Sequence, residues 1–371
     1  MIEVTTNTTF SNLEAYFEHI PENTFVSYTF FNALENSFSI GKDTGWLPFP
    51  LIAREEGKAI GFLPTFIKEH SYGEYVFDWV WAEAFQKHGL SYFPKIVCSI
   101  PFTPISGPRI LAKDLEVKRM LIKALEKIMH QHKISSCHFL FTNSEDQKIL
   151  NESGWMHRQG VQFRWTNKNY KTYDDFLNTL SQPKRKKIKQ ERKKLDNLNL
   201  NVIRKTGSNI LEEDLQFFYQ CYCNTYAIHK STPYLTYDFF YEIYKKISNK
   251  ILLIIAYDSD GPVGSALNIF DNNNLYGRYW GAIKYIPYLH FELCYYQGQE
   301  YCIENNLSIF EGGAQGEHKL ARGFEPFETY SSHYIVNEEF RDAISKFLEE
   351  EGDRMSIYTN ELEGRSPYKN E

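Results

Sequence analysis

Between Glu311 and Phe324 the chain sets Glu311, Gln315, Glu317, His318, Lys319 and Arg322 among four glycines in fourteen residues. A surface turn needs one or two glycines for positive φ or close backbone approach. It does not need six polar or ionisable groups of both signs beside them. An imidazole titrates near neutrality, so His318 can move a proton at cellular pH. Lys319, Arg322 and the amides of a glycine loop can hold an anionic oxygen. His290, Glu292, Glu317 and His333 are further candidate bases. The plainer alternative is a salt-bridge network that pins the loop, with Glu317 on Arg322 and His318 packed beside them. No metal is expected. His290, Glu292, Glu311, His318 and His333 could ligate one, but His-x-Glu on a helix sets two ligands ~200° apart.

These residues need rigid carriers, since functional groups tend to sit where a loop leaves a strand or helix. Leu289–Asn305 reads as a helix bearing His290, Glu292, Tyr295 and Tyr296. Tyr279 and Trp280 precede it; such aromatics are more often core than contact, although a tyrosine hydroxyl can donate a proton. Earlier in the chain, 11–40 reads as helical, with Phe17, Phe25, Phe30, Phe31, Leu34 and Phe38 on its apolar side. A hairpin follows at 49–68, then a short helix at 82–88 and an irregular loop over 101–109, where three prolines in eight residues exclude a ladder. Leu115–His132 is an amphipathic helix, Cys137–Thr142 a buried strand, Glu145–Glu152 a helix and Gly160–Thr166 a strand. Asn337–Leu362 reads as a charged helix packed on the outside, and 365–371 as a frayed end.

The second half repeats this plan. Leu51–Gly61 lines up without a gap on Ile254–Gly264, and both runs lead to a Tyr-Gly-x-Tyr element, Tyr72–Tyr75 and Tyr276–Tyr279. Similarity at this spacing predicts two copies of one domain. The order of helices and strands makes that domain α+β, with a mixed α/β sheet. The boundaries expected are 1–168 and 169–371, the second including a basic helix over 184–195 and the C-terminal helix. At 371 residues and 42% hydrophobic content, two cores are affordable.

The net charge of −6 excludes a protein that coats nucleic acid generally, but not a local basic site. Six cysteines (98, 137, 221, 223, 294, 302) lack framework or metal spacing and read as reduced thiols. No apolar run is long enough for a membrane span and Met1–Asn7 lacks a signal pattern, so a cytoplasmic protein is expected. Two further clusters stand out. Lys184–Lys194 holds eight basic residues in eleven, with Arg185 and Arg192 on one face. That run suits a solvated surface, a tRNA backbone or a phosphorylated acceptor. Glu74, Asp78, Trp79, Trp81 and Arg109 suit an aromatic acceptor cleft with two carboxylates and a cation, or an aromatic core.

Five blocks together resemble the FemAB-like branch of the GNAT acyltransferase superfamily. They are Ser71–Trp79, Pro101–Pro104 with Gly107–Arg109, Lys184–Lys194, His290–Tyr296 and Gly313–Phe324. Within that branch the chain is similar to N-acyltransferases of peptidoglycan biosynthesis or recognition. The resemblance implies tandem GNAT-like domains and an amide-forming transfer of an acyl or aminoacyl group onto an amine. It implies no tightly bound cofactor, a donor that is aminoacyl-tRNA or acyl-CoA, and an acceptor that is an amine-bearing small molecule or peptidoglycan precursor. In that chemistry His318, Lys319, Glu317, His290 and Glu292 would be catalytic. Glu74, Asp78, Trp79, Trp81, Arg109, Arg185, Arg192, Tyr279, Tyr295, Glu311, Gln315 and Arg322 would bind substrates. Two departures are visible. The junction Trp280–His290 lacks the glycine loop by which ordinary GNAT enzymes hold coenzyme A pyrophosphate. The Phe-Lys pair that Fem-type enzymes carry before their Arg/Lys-Gly-Phe segment is absent: Ala321 takes the lysine position, and Lys319 stands two residues earlier. The alternatives are an acyl-CoA-dependent N-acetyltransferase with a non-standard site, and a non-catalytic module that binds a peptide or sugar ligand.

Overall fold

The computed structural model describes residues 2–16, 23–314 and 316–369. By contact density the chain forms two compact units, one of Met1–Val161 with Glu328–Tyr358, the other of Gln162–Phe327 with Thr359–Glu371. The sequence had put everything after 168 in one domain. The chain instead returns to the first unit because strand Glu325–Ile335 pairs antiparallel with Ser136–Thr142, His333 opposite His138. The helix that follows, Glu338–Glu363, packs with one apolar stripe inward and most of its surface exposed or half-buried. Its Phe340, Ile344, Phe347 and Leu348 enter a core cluster with Trp81, Phe85, Tyr92 and Ile335.

In the first unit, a four-stranded sheet carries the hairpin Leu51–Glu55/Lys58–Leu63. Its two turn residues Glu56 and Gly57 both have positive φ (51° and 80°), which matches the twist of a two-residue hairpin. Helix Leu115–His132 covers this sheet. Asp114 caps it by accepting from the Val117 amide at 2.9 Å, and Val117, Leu121, Leu125 and Met129 recur at helical spacing into the core. Among the described residues, the α-helix expected over 11–40 covers Tyr28–Asn36. The Asn23 side chain accepts from the amides of Phe25 and Val26 and closes a turn just before it, and Ser27 caps the start. Phe10, Phe25, Phe30 and Phe31 are buried all the same, whereas Phe38 is 82% exposed at φ 55°. Phe17 lies outside the described residues.

In the second unit the strand order is Asn201–Thr206, Ile251–Asp258, Gly261–Phe270, Asn274–Ala282, Ile309–Glu311, then the end of Met156–Thr166. Ile251–Ala256 is an unbroken apolar run, buried throughout, as a central strand covered on both faces must be. One pair is parallel: Asn274–Tyr276 beside Ile309–Glu311. The two then part, and Gly277–Ala282 continues with strand Gly261–Phe270 alone as its registered partner. Helix Glu212–Ile228 lies against this free length. At Gly281 an added Cβ would stand 2.0 Å from the Cys221 carbonyl oxygen, so only glycine fits. Of the residues 365–371 expected to fray, those described are tied down: Tyr368 donates to the Gly323 carbonyl at 2.7 Å, and the Ser181 amide donates to Pro367; 370 and 371 lie outside the described residues.

Candidate active site

A crevice outside the carboxyl ends of neighbouring parallel strands is where open sheets place ligands. The second unit has one, where Asn274–Ala282 and Ile309–Glu311 diverge. The helix that crosses it runs over 289–304 and is α-helical at both ends but π-helical over Glu292–Tyr296. A π-bulge changes the angular offset between successive side chains and is frequent at functional sites. Here Tyr295 reaches His318, hydroxyl to Nε2 at 2.8 Å, while Tyr296 donates to Glu191 and accepts from Arg322 Nε at 3.1 Å.

The glycine loop is shaped by what a side chain would strike. A Cβ at Gly312 would lie 2.7 Å from the Phe324 ring, and Gly316 has φ 112°. The loop closes when Lys319 Nζ donates to the Gly313 carbonyl at 2.7 Å and Arg322 donates to the His318 carbonyl at 2.7 Å. Arg322 also donates to both oxygens of Glu191, at 2.9 and 3.1 Å, and stacks 3.4 Å over Phe291. Glu317 therefore does not pair with Arg322. It faces outward, to Arg365 at 2.6 Å.

Burial sets the electrostatics. It pushes the Lys319 amine down to about 8 and the Glu311 carboxyl up to about 7. His318, exposed on one side, is held below the usual imidazole range by partial desolvation and then by the charges of Arg322 and Lys319. Burial, then the charges near it, drive His290 down to about 3. Both imidazoles are thus neutral at cellular pH, their ring centres 5.9 Å apart. The His290 ring is tilted against Trp280, centroids 4.5 Å apart, and lines a cleft of about 670 Å³. Glu311 Oε2 is buried with no hydrogen-bond partner among the described residues.

The other expected site residues disperse. Glu292 is not beside His290 but on another side of the helix, paired to Arg192 at 2.9 Å and accepting from Gln297. Arg192 also holds Glu300 and lies over Tyr173, so its charge is already matched by two carboxylates. Among the described residues the Arg185 side chain bonds Asn178, at 3.1 Å. Tyr279 packs on Tyr222 and Phe240. Gln315 is outside the described residues.

In the first unit the expected acceptor cleft is core. Arg109 is fully buried; its guanidinium donates to the Leu140, Ile105 and Pro108 carbonyls, and its backbone amide donates to Asp146 at 2.6 Å. Glu74 and Asp78 share the Lys95 ammonium, which also meets Ser71 at 2.8 Å. Trp81 is buried edge-on to His333, and Trp79 is 42% exposed against Tyr72. His333 is fully buried, its Nδ1 2.7 Å from that of His138, which makes it a core group. Lys95, His138 and Tyr92 were not singled out in the sequence, because isolated polar residues in apolar strands give no periodic signal. Glu191 was missed too, although it sits on the stripe Ile188, Glu191, Leu195, the buried face of the basic helix Gln182–Asp196.

A family model described as FemAB-like, peptidoglycan biosynthesis/recognition, matches residues 5–370. The chain belongs to the FemAB-like family. Among solved structures it resembles FemX, at TM-score 0.55 and 12% identity, over 92% of this chain and 100% of that one. A tandem GNAT protein from the clavulanic acid biosynthesis pathway aligns at TM-score 0.47 and 8% identity, over 91% and 99% of the two chains. The structure of L-PGS from Bacillus licheniformis aligns at 0.49 and 11%, over 76% and 84%. No curated protein matches in sequence. This FemAB-like protein shares its fold with FemX. Among its described residues all six cysteines are free and no three His, Cys, Asp or Glu side chains form a metal site. None of its described helices is long and apolar enough to cross a membrane.

Proposed function

We propose that this FemAB-like protein forms amide bonds, moving an acyl or aminoacyl group onto an amine at the His318 site. The observation that carries this reading is the neutral His318 imidazole, held on the Tyr295 hydroxyl at 2.8 Å, with the buried Lys319 beside it. In the tautomer whose Nε2–H donates to the Tyr295 oxygen, Nδ1 keeps its lone pair and can take the amine's proton. The amine nitrogen then attacks the donor's carbonyl carbon. A C–N bond forms, the carbonyl oxygen gains negative charge, and collapse breaks the C–O or C–S bond to the leaving group, which takes up a proton. Lys319 and the loop amides are the groups available for that oxyanion.

Two observations support reading the units as copies of one GNAT-like domain. Each carries a hairpin at the aligned position, and each hairpin has its irregularity at the aligned residue, Ala53/Arg54 in one and Ala256/Tyr257 in the other. The Lys186, Lys187 and Lys193 side chains stand exposed on the basic helix and suit a tRNA backbone or a phosphorylated peptidoglycan precursor made in the cytoplasm. The test is to incubate the protein with aminoacyl-tRNAs or acyl thioesters and amine acceptors, and to weigh the products. His318→Asn should lower turnover about a hundredfold or more with an unchanged melting temperature. Full turnover in His318→Asn, or no amide from any donor, would remove the reading.

A further inference from the structure

The cleft beside His290 is built from the end of strand Asn274–Ala282, the turn after it and the last turn of helix Glu212–Ile228. Trp280, Ile283, Ile286, Leu289 and Phe291 make its wall apolar. The polar groups on that wall are already engaged. Thr225 and Asn224 donate to the Trp280 and Ala282 carbonyls at 2.8 and 2.6 Å, and Lys284 pairs with Asp258 at 2.7 Å. The one lysine among the described residues that line the cleft is thus paired, although Lys194 donates to the Tyr288 hydroxyl at 3.1 Å, and a polar arm laid along the strand finds these two carbonyls taken. His229 stands exposed at the mouth. There too Ile228, Ile283 and Tyr285 are 68%, 48% and 91% exposed. Exposed apolar side chains grouped in this way mark a surface that something covers.

One polar group inside the cleft is unspent. The His290 ring, tilted against Trp280, has no hydrogen-bond partner among the described residues. It is only partly exposed, and its free ring nitrogen can take one hydrogen bond from a ligand in the cleft. The wall thus asks for hydrocarbon, and its one free polar group asks for a single neutral hydrogen-bonding head.

We propose that this cleft takes the hydrocarbon chain of an acyl donor, with the donor's carbonyl carried to His290 and so to the neighbourhood of His318. The donor role rests on the acyl-transfer reading above; binding of the chain does not. The ligand class is a medium or long alkanoyl group, which excludes the short acetyl group and the coenzyme A phosphates as the main source of affinity.

The test uses the full chain and neutral probes that copy chain and head, the amides from hexanamide to decanamide, followed by calorimetric titration. Affinity should rise about fourfold per methylene, as burial of a CH₂ predicts. Ile286→Asp on the wall should weaken the longest probe at least tenfold. Ile228→Asp at the exposed mouth should do the same and covers the case in which Ile286→Asp misfolds. Ile357→Asp, on the C-terminal helix, 61% exposed and not a lining residue of the cleft, should change nothing. Free coenzyme A should not compete. No binding, an affinity indifferent to chain length, insensitivity to both cleft substitutions, or displacement by coenzyme A would each overturn the proposal. Chain binding with no amide from any donor leaves the cleft standing and retires the transfer reading. Amide formed from short-chain donors, with no chain binding, does the reverse.

Discussion

Arg322 is the residue on which the glycine loop hangs, and the ion pair that holds it can be weighed. Glu191 and Arg322 are 4% and 2% exposed, so neither charge is screened by water. Removing one member of such a pair strands the other charge in a poor dielectric and costs about 3–5 kcal/mol. Glu191→Gln keeps the shape and removes the charge; Arg322→Met removes four hydrogen bonds as well as the charge. Each single change should therefore cost at least about 3 kcal/mol by urea denaturation. Glu191→Leu combined with Arg322→Met should cost less than the sum of the two matching single changes by about 2 kcal/mol or more, because no lone charge remains. A second readout concerns His318, which the Arg322 charge already pushes down. With Glu191 neutral that charge is uncompensated, so NMR should show the His318 imidazole titrating lower still in Glu191→Gln. Single changes costing under about 1 kcal/mol, or strictly additive ones, would show that the pair does not hold the loop.

Other predictions follow from packing and burial. Gly281→Ala puts a methyl 2.0 Å from the Cys221 carbonyl oxygen, backbone that cannot rotate away, and should cost about 3 kcal/mol or more. Gly352→Ala, in a helix with open space at its Cβ, should cost nothing or stabilise slightly, and thermal melts of the two variants give the comparison. Glu311 binds its proton more tightly folded than unfolded, about 7 against 4.5, so its favourable contribution is complete below pH 4.5 and disappears as pH rises through 7. Glu311→Gln should flatten that decline and be more stable than the parent at pH 8, as denaturation at pH 5 and pH 8 would show. An unchanged pH slope would mean that Glu311 is solvated.

Several elements were legible because their information is local. Leu115–His132 has a cap and an apolar stripe, and the apolar run Ile251–Ala256 admits only a buried strand. The glycine block announced itself by composition, and the helix crossing it by its aromatics. The misreadings share one cause, which is that side-chain partners are distant in sequence. Nothing local to Arg322 says that it will find Glu191, 131 residues away, in place of the nearby Glu317. The π-bulge that turns Tyr295 and Tyr296 to different partners has no periodic signature.

The sequence by itself determined where the reactive groups lie along the chain, which runs are helix or strand, and the family to which they belong. Those follow from residue type and from periods of two and 3.6. Tertiary structure alone decided which charges are cancelled and which groups are dry. Arg192 and Glu292 neutralise each other, whereas desolvation shifts His290, His318 and above all the buried Lys319 toward neutrality. Burial and pairing depend on atoms brought together from far apart, and no stretch of sequence contains both sides of such a contact.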